Sequence, residues 1–373
     1  MTADRQRPPT TAQSAFATAL ALVARRRPTG TDAARPPAFR FHPPDPVVST
    51  APIGGPGPGG GLIADAQRRI AAGDLSAREL VEQAIVAAEK QGMALGAIVE
   101  LMADGARAEA TRLDRLAAAG GPIGPLHGIP ITVKDIIHVA GVPTRAGSAA
   151  YHAVPDRDAV AVARARAAGA IVLAKVSTHE FALGVTTPQS ANPYDQRRIP
   201  GGSSGGSAIA VACGIGLASI GTDTRASIRV PAALCGVVGL KGTYGLVPTE
   251  GIVPLSWTMD HVAPIAATVA DAAVVLEVMA GRPLGGTGTD TGFVVGMPAA
   301  GFAGCDPAIA AVAGAAIERL AAAGAGGRVV ALDRPNGADL DLANATGLVV
   351  SRCEAAAFHR SLGTDRRAYW DEF

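Results

Sequence analysis

Three polar segments of the chain carry residue types that can do chemistry. Lys134 follows the apolar run 130–133, a stretch rich in glycine and serine occupies 201–207, and Ser227 lies in a third segment at 221–232. A buried lysine loses its proton more readily than a solvated one, and a serine hydroxyl beside a base can attack a carbonyl carbon. These residue types therefore suit proton transfer and nucleophilic attack.

Each segment also has an ordinary structural interpretation. The glycines at 201–206 are typical of a turn at the start of a helix, and they also resemble a phosphate-binding loop. A Walker loop needs a lysine directly after its last glycine, and no such lysine follows here. Lys134 alone is typical of a solvated lysine at a strand end, and Ser227 alone is typical of a helix cap. Taken singly, the segments leave the chemistry open.

Taken in order, the three segments resemble the amidase signature family of serine amide hydrolases. The stretch 201–207 matches the glycine-serine loop of that family residue for residue, and Ser203 and Ser227 lie 24 residues apart, as they do in the family. The resemblance extends from about residue 62 to residue 373 and is most specific over 128–264. Further positions that carry it are Pro248, Asp260, Pro264 and Glu354.

The resemblance implies a catalytic triad that needs no metal and no cofactor. Lys134 is then the general base, Ser203 relays the proton from within a cis peptide, and Ser227 is the nucleophile that forms an acyl-enzyme. Burial of Lys134 lowers its pKa, which allows the amine to accept a proton near neutral pH. Ser204 is expected to orient the lysine.

The loop before the nucleophile is expected to supply the oxyanion hole from its backbone N–H groups. The residues concerned are Thr224, Arg225, Ala226 and Ser227. The family normally has two glycines where this chain has Arg225 and Ala226. Either the loop accepts these side chains or the oxyanion hole is distorted, because a residue with a Cβ is strained at positive φ. Asp223 and Arg229 are predicted to form an ion pair that braces the loop. A further hypothesis is that Arg225 favours an anionic substrate.

Alternating strands and helices position these segments. A strand over 129–133, a helix over 156–168 and a buried strand over 170–174 predict a βαβ unit with a mainly parallel core. An apolar helix is predicted from about residue 207 to 213, and a strand follows at 217–221. Together with the resemblance, this order implies an α/β amidase signature fold, in which helices cover both faces of a central twisted mixed sheet.

The chain is predicted to consist of a tail and one domain. Residues 1–60 are rich in Pro and Gly, which predicts a disordered tail. Residues 61–373 are expected to form the amidase signature domain, in which Ser76 and Glu79 make a capping box at an early helix. Relatives continue beyond the equivalent of Phe373, so the domain is expected to lack the usual C-terminal portion.

Composition argues against several functional classes. The formal net charge is +1, which argues against broad electrostatic binding to nucleic acid or to acidic membranes. The four cysteines contain no C-x-x-C pair, which argues against a zinc ribbon and a disulfide framework. Residues 204–222 carry no charge over 19 positions, but five of these are glycine, so a buried helix leading into a buried strand is predicted there instead of a membrane span. No signal peptide is recognised, and a cytoplasmic location is expected.

The leading hypothesis is a metal-independent amidase that converts a small carboxamide to a carboxylate and ammonia or an amine. A non-catalytic protein with the amidase fold is one alternative, suggested by the two substituted glycines and the short C-terminus. The amidase subunit of a tRNA-dependent amidotransferase is another, which takes ammonia from glutamine and needs a partner subunit. No nucleic acid or membrane partner is expected, and apolar surface left by the short C-terminus favours a homodimer.

Overall fold

A computed structural model of the chain describes residues 11–25, 60–121, 123–285, 294–298, 301–302, 304–323, 327–363 and 368–369. These residues belong to two compact units, and each unit is described by itself. The larger unit comprises residues 40–284 and 354–373, and the smaller comprises residues 1–39 and 285–353, as far as they are described.

The elements are numbered along the whole chain. The α-helices are α1 (Thr11–Arg25), α2 (Leu62–Ala72), α3 (Ala77–Ala87), α4 (Ala103–Ala118), α5 (Val160–Ala167), α6 (Gly205–Ala212), α7 (Arg229–Leu234), α8 (Val269–Ala280), α9 (Pro307–Ala323) and α10 (Gly337–Leu362). The strands are β1 (Ile98–Leu101), β2 (Pro130–Lys134), β3 (Ile171–Val176), β4 (Ala218–Asp223), β5 (Val238–Gly239), β6 (His261–Ala266), β7 (Val294–Pro298) and β8 (Arg328–Leu332).

The larger unit is built on a mixed sheet with the strand order β1-β3-β2-β4-β6-β5. The central strand β2 pairs in parallel with both β3 and β4, whereas β1, β6 and β5 pair antiparallel with their neighbours. Every residue of β2, β3 and β4 is buried, as expected for short apolar strands covered on both sides. The predicted parallel core is therefore confirmed for these three strands, and the sheet as a whole is mixed.

Helices cover both faces of this sheet, as the resemblance implies. One face packs against α2, α5 and α8, whose buried positions include Ile63, Val162 and Val275. The other face packs against α3 and α4 near β3, and against α6 near β6. Helix α3 begins with the predicted capping box, in which the Ser76 hydroxyl accepts from Glu79 N while the Glu79 carboxylate accepts from Ser76 N.

The parallel strands bring the chemistry-bearing segments to one edge of the sheet. Lys134 is the last residue of β2 and Asp223 the last of β4, and the carboxyl ends of paired parallel strands lie together. The uncharged segment 204–222 divides, as predicted, between the buried helix α6 and the buried strand β4. None of the helices in the described residues is long and apolar enough to cross a membrane.

The smaller unit contains a two-stranded parallel sheet of β7 and β8, joined through α9. The sequence predicts this helix over 307–323 and strands at 293–296 and 329–332; the helix and the described parts of both strands are present. Helix α1 lies within the tail predicted over residues 1–60. The other residues of that tail up to residue 59 lie outside the described part of the chain.

Candidate active site

Lys134 is fully buried at the end of β2, so it is not a solvated strand-end lysine. Its Nζ donates to the Ser203 hydroxyl at 2.6 Å and to the Thr222 hydroxyl at 2.8 Å. Burial disfavours the ammonium form and lowers the pKa of Lys134 to about 7, although the carboxylates of Asp260 and Asp223 oppose this shift. The amine can therefore exist in its neutral form near neutral pH.

Ser203 lies in the glycine-rich turn that leads into α6, and the peptide bond between Gly202 and Ser203 is cis. Ser203 is fully buried, and its carbonyl accepts from His179 N at 3.1 Å. A Cβ at position 202 would collide with the backbone carbonyl of Thr186, so this close approach requires glycine. The turn thereby holds the Ser203 hydroxyl against the lysine.

Ser204, which is expected to orient the lysine, contacts the backbone of Thr222. Its hydroxyl donates to the Thr222 carbonyl at 3.1 Å and lies 3.4 Å from Thr222 N, from which it accepts. The second hydroxyl in contact with the Lys134 amine belongs to Thr222. Ser204 directly precedes α6 as its N-cap residue, and its hydroxyl bonds to the backbone of Thr222 in β4, so its effect on Lys134 passes through Thr222.

The loop 223–229, which carries Ser227, is held beside this cluster by its ends. Ser227 is 5% exposed, and its carbonyl accepts from Ser204 N at 3.2 Å, which fixes its backbone next to the glycine-rich turn. The Asp223 carboxylate accepts two bonds from the Arg229 guanidinium, at 3.0 and 3.1 Å, and one from Ile228 N at 3.2 Å. Arg229 also donates to the carbonyl of Arg225 at 2.6 Å. The predicted ion pair is present and joins both ends of the loop.

The substituted glycines do not force strained backbone. Positive φ among the described non-glycine residues occurs at Ala146, Phe181 and Ala182, and neither Arg225 nor Ala226 is among them. A side chain at these two positions therefore meets no left-handed conformation. The backbone therefore carries no strain of the kind that a Cβ meets at positive φ, and a working oxyanion hole stays a prediction.

Asp260 is a buried carboxylate that anchors the first residue of this loop. Its Oδ1 accepts from the Thr224 hydroxyl at 2.5 Å, and its Oδ2 accepts from Leu255 N and Ser256 N, each at 3.0 Å. Burial raises the pKa of Asp260, and these hydrogen bonds and Lys134 oppose the rise. The sequence motif includes Asp260 without assigning it a contact, and Thr222 was not recognised as a partner of the lysine.

A second buried lysine lies on the neighbouring strand β3. Lys175 Nζ lies 2.8 Å from Asp135 Oδ1 and donates to the Thr144 hydroxyl at 2.9 Å, and Arg145 N donates to Asp135 Oδ2 at 3.1 Å. Both members of the ion pair are at most 1% exposed. No sequence motif pointed to this pair.

The histidines nearest to the motifs pack around the site. His261 Nδ1 lies 2.7 Å from the Met259 carbonyl and 3.1 Å from the Asp223 carbonyl, so this nitrogen carries the proton in the neutral ring. His179 is buried, and a Cβ at Gly184 would collide with its ring. His127 is buried and His138 is partly buried, and burial lowers the pKa of both. The sequence predicts that these four histidines are packing or substrate-wall residues, and both roles stay predictions.

Fold and site together define an α/β protein with a buried lysine and serine hydroxyls at the carboxyl edge of its central sheet. The family model described as Amidase matches residues 79–336, which is more than half of the chain. The chain therefore belongs to the amidase signature family. This membership confirms the resemblance recognised from the glycine-serine loop and the nucleophile segment.

Curated relatives and solved structures agree with this membership. The chain is 41% identical over 285 residues to one subunit of the glutamyl-tRNA(Gln) amidotransferase of Chloroflexus aurantiacus, covering 70% of this chain and 58% of the relative. A crystal structure described as an amidase superposes with a TM-score of 0.74 at 38% identity, covering 80% of this chain and 69% of the other. The structure of the peptide amidase of Stenotrophomonas maltophilia superposes with a TM-score of 0.67 at 35% identity, covering 82% of this chain and 69% of the other. The chain thus spans less than two thirds of the length of the curated relative.

Proposed function

We propose that this chain hydrolyses the C–N bond of a small carboxamide through an acyl-enzyme, with Lys134 as base, Ser203 as proton relay and Ser227 as nucleophile. The observation that carries the proposal is the 2.6 Å bond between the buried Lys134 amine and the Ser203 hydroxyl. A lysine whose contacts are hydroxyls, and whose pKa burial lowers to about 7, is suited to accept a proton at neutral pH.

The proposed proton path leads from Ser227 through Ser203 to Lys134, and the contact between Lys134 and Ser203 supports it. Ser203 passes its proton to the neutral amine and takes the proton of the Ser227 hydroxyl, while the Ser227 oxygen bonds to the amide carbon. The C–N bond then breaks as the leaving nitrogen receives the proton back through Ser203. Water attacks the ester by the same route, which releases the carboxylate and restores Ser227.

The oxyanion that forms in this reaction needs preorganised donors. The backbone N–H groups of residues 224–227 are the proposed donors, and Asp260 and the Asp223–Arg229 pair hold the loop that carries them. Each donor of this kind is worth roughly 3 kcal/mol in the transition state. Because Arg225 and Ala226 adopt no positive φ, their side chains are compatible with an ordered loop.

A fluorophosphonate probe read by intact mass tests the proposal. We expect one probe per folded molecule in the wild type, no label after Ser227→Ala, and full label after Ser361→Ala, which removes an exposed serine on α10. Folded wild-type protein that takes up no label would overturn the proposal in favour of a non-catalytic protein with the amidase fold.

A second candidate is the amidase subunit of a tRNA-dependent amidotransferase. The 41% identity to the Chloroflexus aurantiacus protein, which is part of such an enzyme, favours it. The same triad would then release ammonia from glutamine in the presence of partner subunits. Glutaminase activity that appears only together with the other amidotransferase components supports this candidate, and hydrolysis of simple carboxamides by the chain alone contradicts it.

A further inference from the structure

The carboxylate of Glu354 contacts the loop 255–260, which also contacts Thr224 of the proposed nucleophile segment. Its Oε2 accepts from the Ser256 hydroxyl at 2.7 Å and from Thr258 N at 3.2 Å, and its Oε1 accepts from the Thr258 hydroxyl at 2.7 Å. Glu354 lies on α10, in the part of that helix that belongs to the larger unit. Three donors that are 96 to 98 residues away in sequence therefore converge on one side chain.

A second carboxylate, that of Asp260, holds the loop 255–260 through backbone N–H groups of the loop itself. Asp260 accepts from Leu255 N and Ser256 N, and Asp260 N and Met259 N donate to the Ser256 carbonyl at 2.7 and 2.8 Å. Ser256 thus gives its backbone N–H to Asp260 and its hydroxyl to Glu354. Because Glu354 and Asp260 both hold Ser256, a displacement of Ser256 at its contact with Glu354 also displaces its contact with Asp260.

The Asp260 carboxylate is also in contact with the proposed oxyanion loop. Asp260 Oδ1 accepts from the Thr224 hydroxyl at 2.5 Å, so the position of Asp260 sets the position of the first residue of that loop. Asp260 is, in addition, the carboxylate that most strongly opposes the loss of the Lys134 proton. The loop 255–260 therefore contacts the side chain of the first residue of the proposed oxyanion loop, and its Asp260 carboxylate favours the protonated form of the proposed base.

We propose that Glu354 is a positioning residue for the proposed reaction, which fixes the loop 255–260 and, through Asp260, orients Thr224 and the oxyanion donors that follow it. This inference rests on the proposed function of Ser227. A side chain that served the fold alone would need no connected path of hydrogen bonds to the nucleophile loop. Here the path runs through two shared residues, Ser256 and Asp260.

The rate of fluorophosphonate labelling per folded molecule tests this inference. Glu354→Ala is expected to lower the second-order labelling rate about ten- to a hundredfold while the final label still reaches one per molecule, because small misplacements of catalytic groups slow the chemical step. Glu354→Gln retains acceptor oxygen for part of the contacts and should give an intermediate rate. Arg360→Gln is the matched control, since Arg360 is exposed on the same helix and donates to the carbonyl of Ala356.

Hydrogen-exchange mass spectrometry supplies a readout that does not depend on activity. In Glu354→Ala, the amides of both 255–260 and 224–227 should exchange faster, whereas in Ser227→Ala they should not. A Glu354→Ala protein that labels at the wild-type rate, or that loosens 255–260 without loosening 224–227, would overturn the positioning role. If Glu354→Ala does not fold, Ser256→Ala removes one of the same bonds and is held to the same outcomes. If wild-type protein takes up no label, the proposed function is wrong, and this inference is wrong as well.

Discussion

The two buried lysines on neighbouring strands make an informative comparison. Lys134 and Lys175 are both 0% exposed, and they stand at successive register positions, since Lys134 pairs with Val176 and Val133 pairs with Lys175. Lys175 has a carboxylate at 2.8 Å, whereas Lys134 contacts two hydroxyls. The strands are alike, so the difference lies in the side chains that surround each amine.

Burial lowers the pKa of both lysines, but it leads to different chemistry. The contact with Asp135 opposes the shift of Lys175 and makes this amine half of an internal ion pair. The carboxylates of Asp260 and Asp223 act on Lys134 only through their charge, and the amine makes its hydrogen bonds to hydroxyls. The neutral amine can therefore exchange a proton with the Ser203 hydroxyl. Burial alone therefore does not make a lysine a base. The group that contacts the amine decides whether the lysine forms an ion pair or can exchange a proton.

The largest effect on labelling is expected when Lys134, the lysine that contacts two hydroxyls, is replaced. Lys134→Met should lower the fluorophosphonate labelling rate about 10²- to 10⁴-fold, which is the usual contribution of a general base. The thermal unfolding midpoint should stay the same or rise, because the variant no longer buries an ammonium group. Lys90→Met, at an exposed lysine, is the control and should change neither quantity. Wild-type labelling in folded Lys134→Met would refute the assignment of the base.

The opposite pattern is expected for the paired lysine. Lys175→Met should reduce the free energy of unfolding by about 3–5 kcal/mol, because it leaves the Asp135 carboxylate buried without its partner. The labelling rate of the remaining folded molecules should stay near that of the wild type. Urea unfolding at pH 7 measures the first quantity and probe kinetics the second.

The double variant Lys175→Met/Asp135→Leu provides the matched control for this result. Replacing both charges with apolar side chains should recover most of the lost stability. Burial raises the pKa of Asp135 in the folded state, so the folded protein binds the proton more tightly than the unfolded chain. The deficit of Lys175→Met should therefore shrink as the pH falls and grow as it rises. A deficit that persists in the double variant would mean that packing, not the unpaired charge, causes it.

The sequence gives a hypothesis for the role of Lys134 and no sign of the ion pair of Lys175, and the reason is physical. Lys134, Ser203 and Ser227 lie in compact motifs whose spacing is visible along the chain, and the strands that carry them are short apolar runs. The partners of Lys175 depend on strand register and on a turn near Thr144, which no local pattern specifies. Contacts that depend on long-range geometry were missed for the same reason.

Two details within the recognised motifs also required the structure. Ser204 and Thr222 both carry a hydroxyl, and the direction in which each hydroxyl points depends on where α6 begins relative to β4. The sequence named Ser204 as the residue that orients the lysine and gave no sign of the direct contact between Thr222 and the amine. The backbone at Arg225 and Ala226 has no sequence signal for its φ, since the family glycines permit either sign.

The smallest expected effect is a shift in the pH dependence of the labelling rate, which separates the surroundings of Lys134 from those of Lys175. Lys134 has a lowered pKa of about 7, so the wild-type labelling rate should fall about tenfold per pH unit below that value and level off above it. The Thr222 hydroxyl accepts from the amine and favours its charged form, so Thr222→Val should lower the pKa further and move the midpoint down by roughly half to one pH unit. Thr144→Val removes the corresponding hydroxyl from Lys175 and should leave the midpoint in place. A midpoint that moves upward in Thr222→Val, or moves equally in Thr144→Val, would show that the titrating group is not the amine held by Ser203 and Thr222.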